Sequence, residues 1–183
     1  TRHDHVDFIF NDGTVLRFND PRKFGAVLWG QGDVLTHKLL INLGVEPLTT
    51  DFNGDYLYQR ANNRKKAIKT FIMDGHIVVG VGNIYASESL FMAGIAPTRP
   101  AGQVSLEEYR KLADVIKEVL KKSIAQGGTT LKDFVNEQGK AGYFSQSLNV
   151  YGRAGQRCYH CQNPVEKIIQ TQRASYFCAS CQK

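Results

Sequence analysis

At 183 residues, 42% of them hydrophobic, the chain has the length for one domain with a sizeable core plus a small appendage. A net charge of +6 and a pI near 9.2 admit a polyanionic partner without proving one. No apolar run is long enough to cross a membrane, and there is no internal repeat or low-complexity tract, so function has to be sought in local motifs.

In chain order, residues 6–10 and 14–18 alternate apolar and polar side chains around Asn11-Asp12-Gly13, which predicts a β-hairpin. A further short strand is expected over 24–29, after the turn at Asp20-Pro21. Two or three strands with one apolar face need more sheet to cover them, so the chain is expected to begin inside a β-domain whose other half lies upstream. From Val34 the period turns helical. Leu35, Leu39, Leu40 and Leu43 predict a short helix ending at Gly44; Tyr56, Leu57 and Ala61 a second; Ala67, Ile68, Phe71 and Ile72 a third. The longest helix is expected from a capping box at Ser105 with Glu108 to a stop at Gly127-Gly128.

Residues 80–97 open with Gly80-Val81-Gly82-Asn83 ahead of a helical pattern. The dinucleotide-binding fingerprint is rejected, because its third glycine position holds Tyr85 and no long βαβ pattern surrounds it. What remains is that glycines allow close backbone approach, and that free amides at a helix start bind phosphate. Asn83 is either a plain helix cap or a phosphate contact.

Cys158, Cys161, Cys178 and Cys181 form two C-x2-C pairs sixteen residues apart, the spacing of a four-thiolate zinc site on a folded-back hairpin. A disulfide framework is disfavoured by the two tight pairs and the lack of a secretory signal. His160, inside the first knuckle, is expected to be a bystander. Lys167, Gln170, Gln172, Arg173 and Tyr176 lie between the pairs, so the hairpin is either a simple staple or a stiffened, basic surface for a polyanion.

Five stretches then occur in one order: Asp20-Pro21-Arg22-Lys23-Phe24-Gly25, Gly82-Asn83-Ile84-Tyr85-Ala86-Ser87-Glu88, Gly127-Gly128-Thr129-Thr130-Leu131, Val150-Tyr151-Gly152-Arg153, and the cysteine hairpin with Gln172-Arg173. In that order the chain resembles, over essentially its whole length, the bacterial formamidopyrimidine-DNA glycosylase (8-oxoguanine DNA glycosylase) family. The resemblance implies an α+β fold: the end of a β-sandwich domain (1–30), a helical helix-two-turn-helix domain (31–149) and a four-cysteine zinc β-hairpin (150–183) holding one structural Zn2+. It implies a monomeric cytoplasmic enzyme of bacteria, with no membrane partner, acting on double-stranded DNA that contains oxidised purines or abasic sites. Such an enzyme flips the damaged purine out of the stack, cuts its glycosidic bond and nicks the strand by β,δ-elimination.

By the same resemblance Phe24 is the wedge that fills the vacated stack and Arg22 reads the orphaned cytosine, where composition alone would give strand core and a surface charge. Asn83 and Arg173 grip the phosphates flanking the flipped nucleotide, and Arg173 is also the proton donor for δ-elimination. Arg64 and Lys69, within the cluster Arg64, Lys65, Lys66 and Lys69, match further phosphate contacts, and His3 matches another; a solvated basic face is the plainer account of that cluster. Asp74 and Glu88 match acids implicated in the family, and residues 132–147, with Gly139 and Gly142, match a loop covering the extruded base.

One departure stands against these matches. The family's nucleophile is the amine of an N-terminal proline, assisted by an adjacent glutamate and a lysine of the first domain, and no Pro-Glu start exists here. The chain is therefore expected to be a C-terminal fragment that supplies the DNA grip and is inactive alone. The alternatives are the sister endonuclease VIII type, which prefers oxidised pyrimidines, and a non-catalytic zinc-containing DNA-binding module.

Overall fold

The computed structural model describes residues 2–128 and 148–183. The loop expected over 132–147, with Gly139 and Gly142, and the Thr129-Thr130-Leu131 stretch lie outside the described residues. Two compact units divide the chain, Thr1–Ile41 and Asn42–Lys183.

The first unit is built on an antiparallel hairpin, β1 (Asp4–Ile9) and β2 (Val15–Asn19), with Phe8 opposite Leu16 and Asp7 opposite Arg17. The turn follows from its residues: Gly13 takes φ +83°, and the Asp12 carboxylate accepts the Thr14 N–H at 2.9 Å. Two expectations fail in this unit. Residues 24–29 form no strand, because no neighbouring backbone among the described residues offers them a ladder, and Phe24 and Trp29 are 87% and 94% exposed. The helix expected from Leu35 to Leu43 shrinks to one 3-10 turn, Val34–Thr36, stopped where His37 turns extended (ψ 139°). Its leucines stay exposed, and with no core face to bury, the periodicity has nothing to stabilise.

The second unit carries a closed core of Phe52, Leu57, Ile68, Phe71, Ile72, Leu90, Ile95, Tyr109, Leu112 and Ile116. Four helices surround it: α1 (Gly54–Ala61), α2 (Ile68–Ile72), α3 (Asn83–Ala93) and α4 (Leu106–Ala125). The capping box is present, with Ser105 Oγ accepting the Glu108 N–H and the Glu108 carboxylate accepting the Ser105 N–H. Gly54 allows α1 to touch α4, since a Cβ there would lie 2.3 Å from the Arg110 Cα. α3 is buried on almost every side and ends at Gly94, which takes φ +80°. None of the described helices is long and apolar enough to cross a membrane.

A second hairpin, β3 (Glu166–Gln170) and β4 (Arg173–Phe177), turns through Thr171 and Gln172, both at positive φ. Phe91 of α3 packs with Val150, Cys158, Val165 and Cys178, so the hairpin shares a small core with the helices. Its last residues are sewn down as well. Gln182 accepts the Cys178 N–H and donates to the Ile95 carbonyl, while Lys183 exchanges backbone bonds with Gly94 and Ala96.

Candidate functional site

The four cysteines converge as their spacing predicts, with every pair of sulfurs within 4.8 Å, Cys158 to Cys181 at 3.9 Å and Cys161 to Cys178 at 3.4 Å. A tetrahedral ion with metal–sulfur bonds of about 2.3 Å needs sulfurs about 3.8 Å apart, so the cluster fits such an ion. The electrostatics agree. The Asn163 N–H pulls the Cys161 thiol down to about 7, whereas burial pushes Cys178 up and Cys181 up to about 12. Four thiols this close resist losing their protons together unless a cation balances the charge. His160 stands outside the cluster, its ring 4.9 Å from that of Phe91.

Toward the other end of the second hairpin from the cysteines, a polar junction joins α2, α3 and β4. Lys69, the second residue of α2, is 2% exposed. Its ammonium donates to Asn83 Oδ1 (2.5 Å), the Ala174 carbonyl (3.0 Å) and Ser175 Oγ (2.7 Å). Burial first, and then the like charge of Arg173, bring its pKa down to about 8. Asn83 is the first residue of α3 but does not cap it. Gly82 holds the cap position with no side-chain bond, and the Asn83 amide instead donates to the Ala174 carbonyl (3.0 Å) and the Tyr151 hydroxyl (3.3 Å). The plain-cap reading of Asn83 is thereby corrected, and the cap residue Gly82 brings no side-chain acceptor to the start of α3. Arg173 opens β4, its backbone paired with Gln170, and its exposed guanidinium makes no hydrogen bond or ion pair among the described residues.

Glu88, also 2% exposed, lies one and a half turns further along α3. Its carboxylate accepts four N–H groups, from the Asn149, Val150 and Tyr151 backbones and the Asn149 side chain, at 2.7 to 3.0 Å. Such a carboxylate fixes backbone and has no free oxygen with which to do acid–base work. Tyr151 is thus held at both ends, by Glu88 at its backbone and Asn83 at its hydroxyl, with its ring 4.9 Å from Tyr176. Asp74 pairs with Lys66 at 3.0 Å, while Arg64 and Lys65 are exposed. Sequence reasoning missed Ser175, for which no motif gave a signal, and the buried role of Lys69, whose basic neighbours pointed to a solvated face.

Three further candidates belong to the first unit. Arg22 and Phe24 are exposed on the turn that follows β2, and the Asp20 carboxylate accepts the N–H groups of Arg22, Lys23 and Gly25. His3 is half-buried, its ring accepting from Arg2 and its carbonyl accepting the Asp20 N–H.

Residues 43–135 match the family model described as the formamidopyrimidine-DNA glycosylase H2TH domain. The formamidopyrimidine-DNA glycosylase of Hydrogenovibrio crunogenus is 56% identical over 182 residues, covering 100% of this chain and 65% of its own length. The chain thus spans about two thirds of the curated relatives it matches. Among solved structures, the MutM (Fpg) protein of Thermus thermophilus superposes with a TM-score of 0.90 at 36% identity, covering 100% of this chain and 69% of that one. The Lactococcus lactis Fpg (MutM) in complex with a FAPY-dG containing DNA gives 0.86 at 34% identity, covering 99% and 66%.

Proposed function

The chain belongs to the formamidopyrimidine-DNA glycosylase family, and from that premise we propose that it is the DNA-gripping part of a bifunctional DNA glycosylase/AP lyase. The full protein, in the bacterial cytoplasm, excises oxidised purines such as 8-oxoguanine and formamidopyrimidine from duplex DNA by base flipping, then cleaves the abasic strand by β,δ-elimination. These 183 residues supply the grip and not the amine nucleophile.

The observation that carries this reading is the junction of α3 and β4. A helix start whose cap residue, Gly82, brings no side-chain acceptor, the Asn83 backbone N–H at that start, and an arginine on a metal-braced strand whose guanidinium is unpaired among the described residues form a surface suited to a phosphodiester. One Zn2+ on Cys158, Cys161, Cys178 and Cys181 holds the hairpin. Asn83, through its backbone N–H at the start of α3, and Arg173, through its guanidinium, bind the phosphates beside the flipped nucleotide, and Arg64 and His3 are assigned further phosphate contacts. Lys69 has committed its donors inside the protein, so we assign it to holding Asn83 and β4 in place behind that contact. Arg173 is also assigned as the proton donor in δ-elimination, and Phe24 and Arg22 are assigned to filling the vacated stack and reading the opposing cytosine.

The test is excision by the full-length protein from a duplex holding 8-oxoguanine opposite cytosine, with Asn83→Ala and Arg173→Ala alongside. Loss of at least about tenfold in each variant is expected, the scale on which a charge-assisted contact acts. Full activity in both would rule out this phosphate grip.

A further inference from the structure

We propose that Asp20 is a positioning residue for readout opposite the lesion, its carboxylate building the turn that presents Arg22 and Phe24. The proposal rests on the reading of those two residues given above. Oδ1 of Asp20 accepts the Arg22 N–H at 3.1 Å and the Lys23 N–H at 2.9 Å, and Oδ2 accepts the Gly25 N–H at 2.6 Å. Pro21 has no N–H, so one carboxylate takes every amide of residues 21–25 except that of Phe24.

The rest of the turn is over-determined in the same direction. Lys23 takes φ +56°, a left-handed conformation that a side chain enters only when neighbouring bonds hold it there. Gly25 leaves no room for substitution, since a Cβ would sit 2.7 Å from the Phe18 ring and 3.1 Å from Asp20 Oδ2. Asp20 itself is tied back to the hairpin, its N–H donating to the His3 carbonyl and its carbonyl lying 3.0 Å from His5 Nε2. The carboxylate therefore connects a fixed strand to the turn.

That connection matters because packing fixes neither functional side chain. Phe24 is 87% exposed and Arg22 is exposed, so the direction in which each projects is set by the backbone beneath it. A bidentate base contact tolerates errors of only about 0.5 Å and 10–20°. The Gly25 N–H holds the Asp20 carboxyl below the usual carboxylate range, which keeps both oxygens as acceptors. No motif logic in the sequence distinguishes this aspartate from an ordinary turn residue.

The experiment measures, in the full-length protein, affinity for a duplex carrying a tetrahydrofuran abasic analogue opposite dC and opposite dA. The dC/dA ratio cancels any general loss of affinity, and nuclear Overhauser contacts between Phe8 and Leu16 monitor the hairpin. Arg22→Ala is expected to reduce the ratio about tenfold, the worth of a base contact. Asp20→Asn, which keeps one acceptor oxygen, should reduce it by about threefold and Asp20→Ala by about tenfold, a graded loss that unfolding would not produce. An unchanged ratio in Asp20→Ala beside a collapsed one in Arg22→Ala overturns the proposal alone. An unchanged ratio in Arg22→Ala overturns the reading of Arg22, and the proposal with it. Gly25→Ala displaces the third amide while leaving Asp20 intact, so it serves where an Asp20 variant loses the hairpin contacts, and an unchanged ratio there also overturns the proposal.

Discussion

The described residues contain two antiparallel hairpins of nearly equal size, and they owe their shape to different causes. β1–β2 is held by its own surface: an aspartate-glycine turn and the Arg17–Asp7 ion pair at 2.8 Å, with Ile9 76% exposed. β3–β4 has an equally short ladder, but one end is gathered by four cysteines and the other is tied by Lys69 to α2 and α3. A two-stranded hairpin is marginal in water, so position and rigidity come from what stands behind it. In the second hairpin the β4 backbone beside Arg173 is tied to the start of α3, since the Ala174 carbonyl accepts from both Lys69 and Asn83.

The largest effect that would break this contrast is loss of the metal. A structural four-thiolate zinc site contributes about 10–16 kcal/mol of binding free energy in small fingers, far more than five ladder pairs can replace. Removing the ion with a chelator, or changing Cys161→Ser, should abolish amide protection across residues 156–183 and leave α4 protected. Elemental analysis of protein purified under reducing conditions should find one zinc per chain. Hydrogen exchange that is unaltered in β3–β4 after chelation would show that packing on Phe91 suffices by itself.

Next in size is the tie at the other end. Lys69→Met is close in volume but leaves Asn83 Oδ1 and Ser175 Oγ without a donor and the Ala174 carbonyl with the Asn83 amide alone, at a cost of about 2–4 kcal/mol. Zinc content should not change. A denaturant midpoint equal to that of the parent would remove Lys69 from the account. The same residue has a pH signature. Its folded pKa of about 8 lies below the ordinary lysine value, so between about pH 8 and 10.5 the unfolded chain binds more protons. Stability should therefore rise across that window and be flatter in Lys69→Met, which thermal melts at stepped pH can read.

How far the sequence carried differs between the same two regions. The second unit was legible: the capping box at Ser105, the 3.6-residue period of α4 and the cysteine spacing each depend on neighbours within a few residues or on a metal that fixes geometry. The stretch from Phe24 to Leu43 was not, because strand and helix patterns there need a covering surface that the described residues do not provide. Within the site, cysteines could be named from spacing, but Lys69 looked like its exposed neighbours Lys65 and Lys66. Its burial is decided by Ser175, more than a hundred residues away, and Glu88 likewise finds its four donors sixty residues downstream. Such partnerships have no local signal.

The smallest predicted effect separates the two hairpins by one arginine each. The guanidinium of Arg17 on β2 is already satisfied by Asp7 and Asp4, whereas that of Arg173 on β4 has no hydrogen bond or ion pair among the described residues and lies near the like charge of Lys69. Each phosphate contact contributes about 0.9 to the slope of log affinity against log salt, and the four contacts assigned here imply a total slope of roughly 3 to 4. Arg173→Ala should therefore lower that slope by about one. Arg17→Ala should leave it unchanged, since an arginine engaged with two carboxylates releases no counterions when DNA arrives. Fluorescence anisotropy with a short duplex at stepped salt measures both slopes. Equal slopes for the two variants would mean that the braced hairpin holds the DNA no more than the unbraced one does, and that the metal serves only to close the fold.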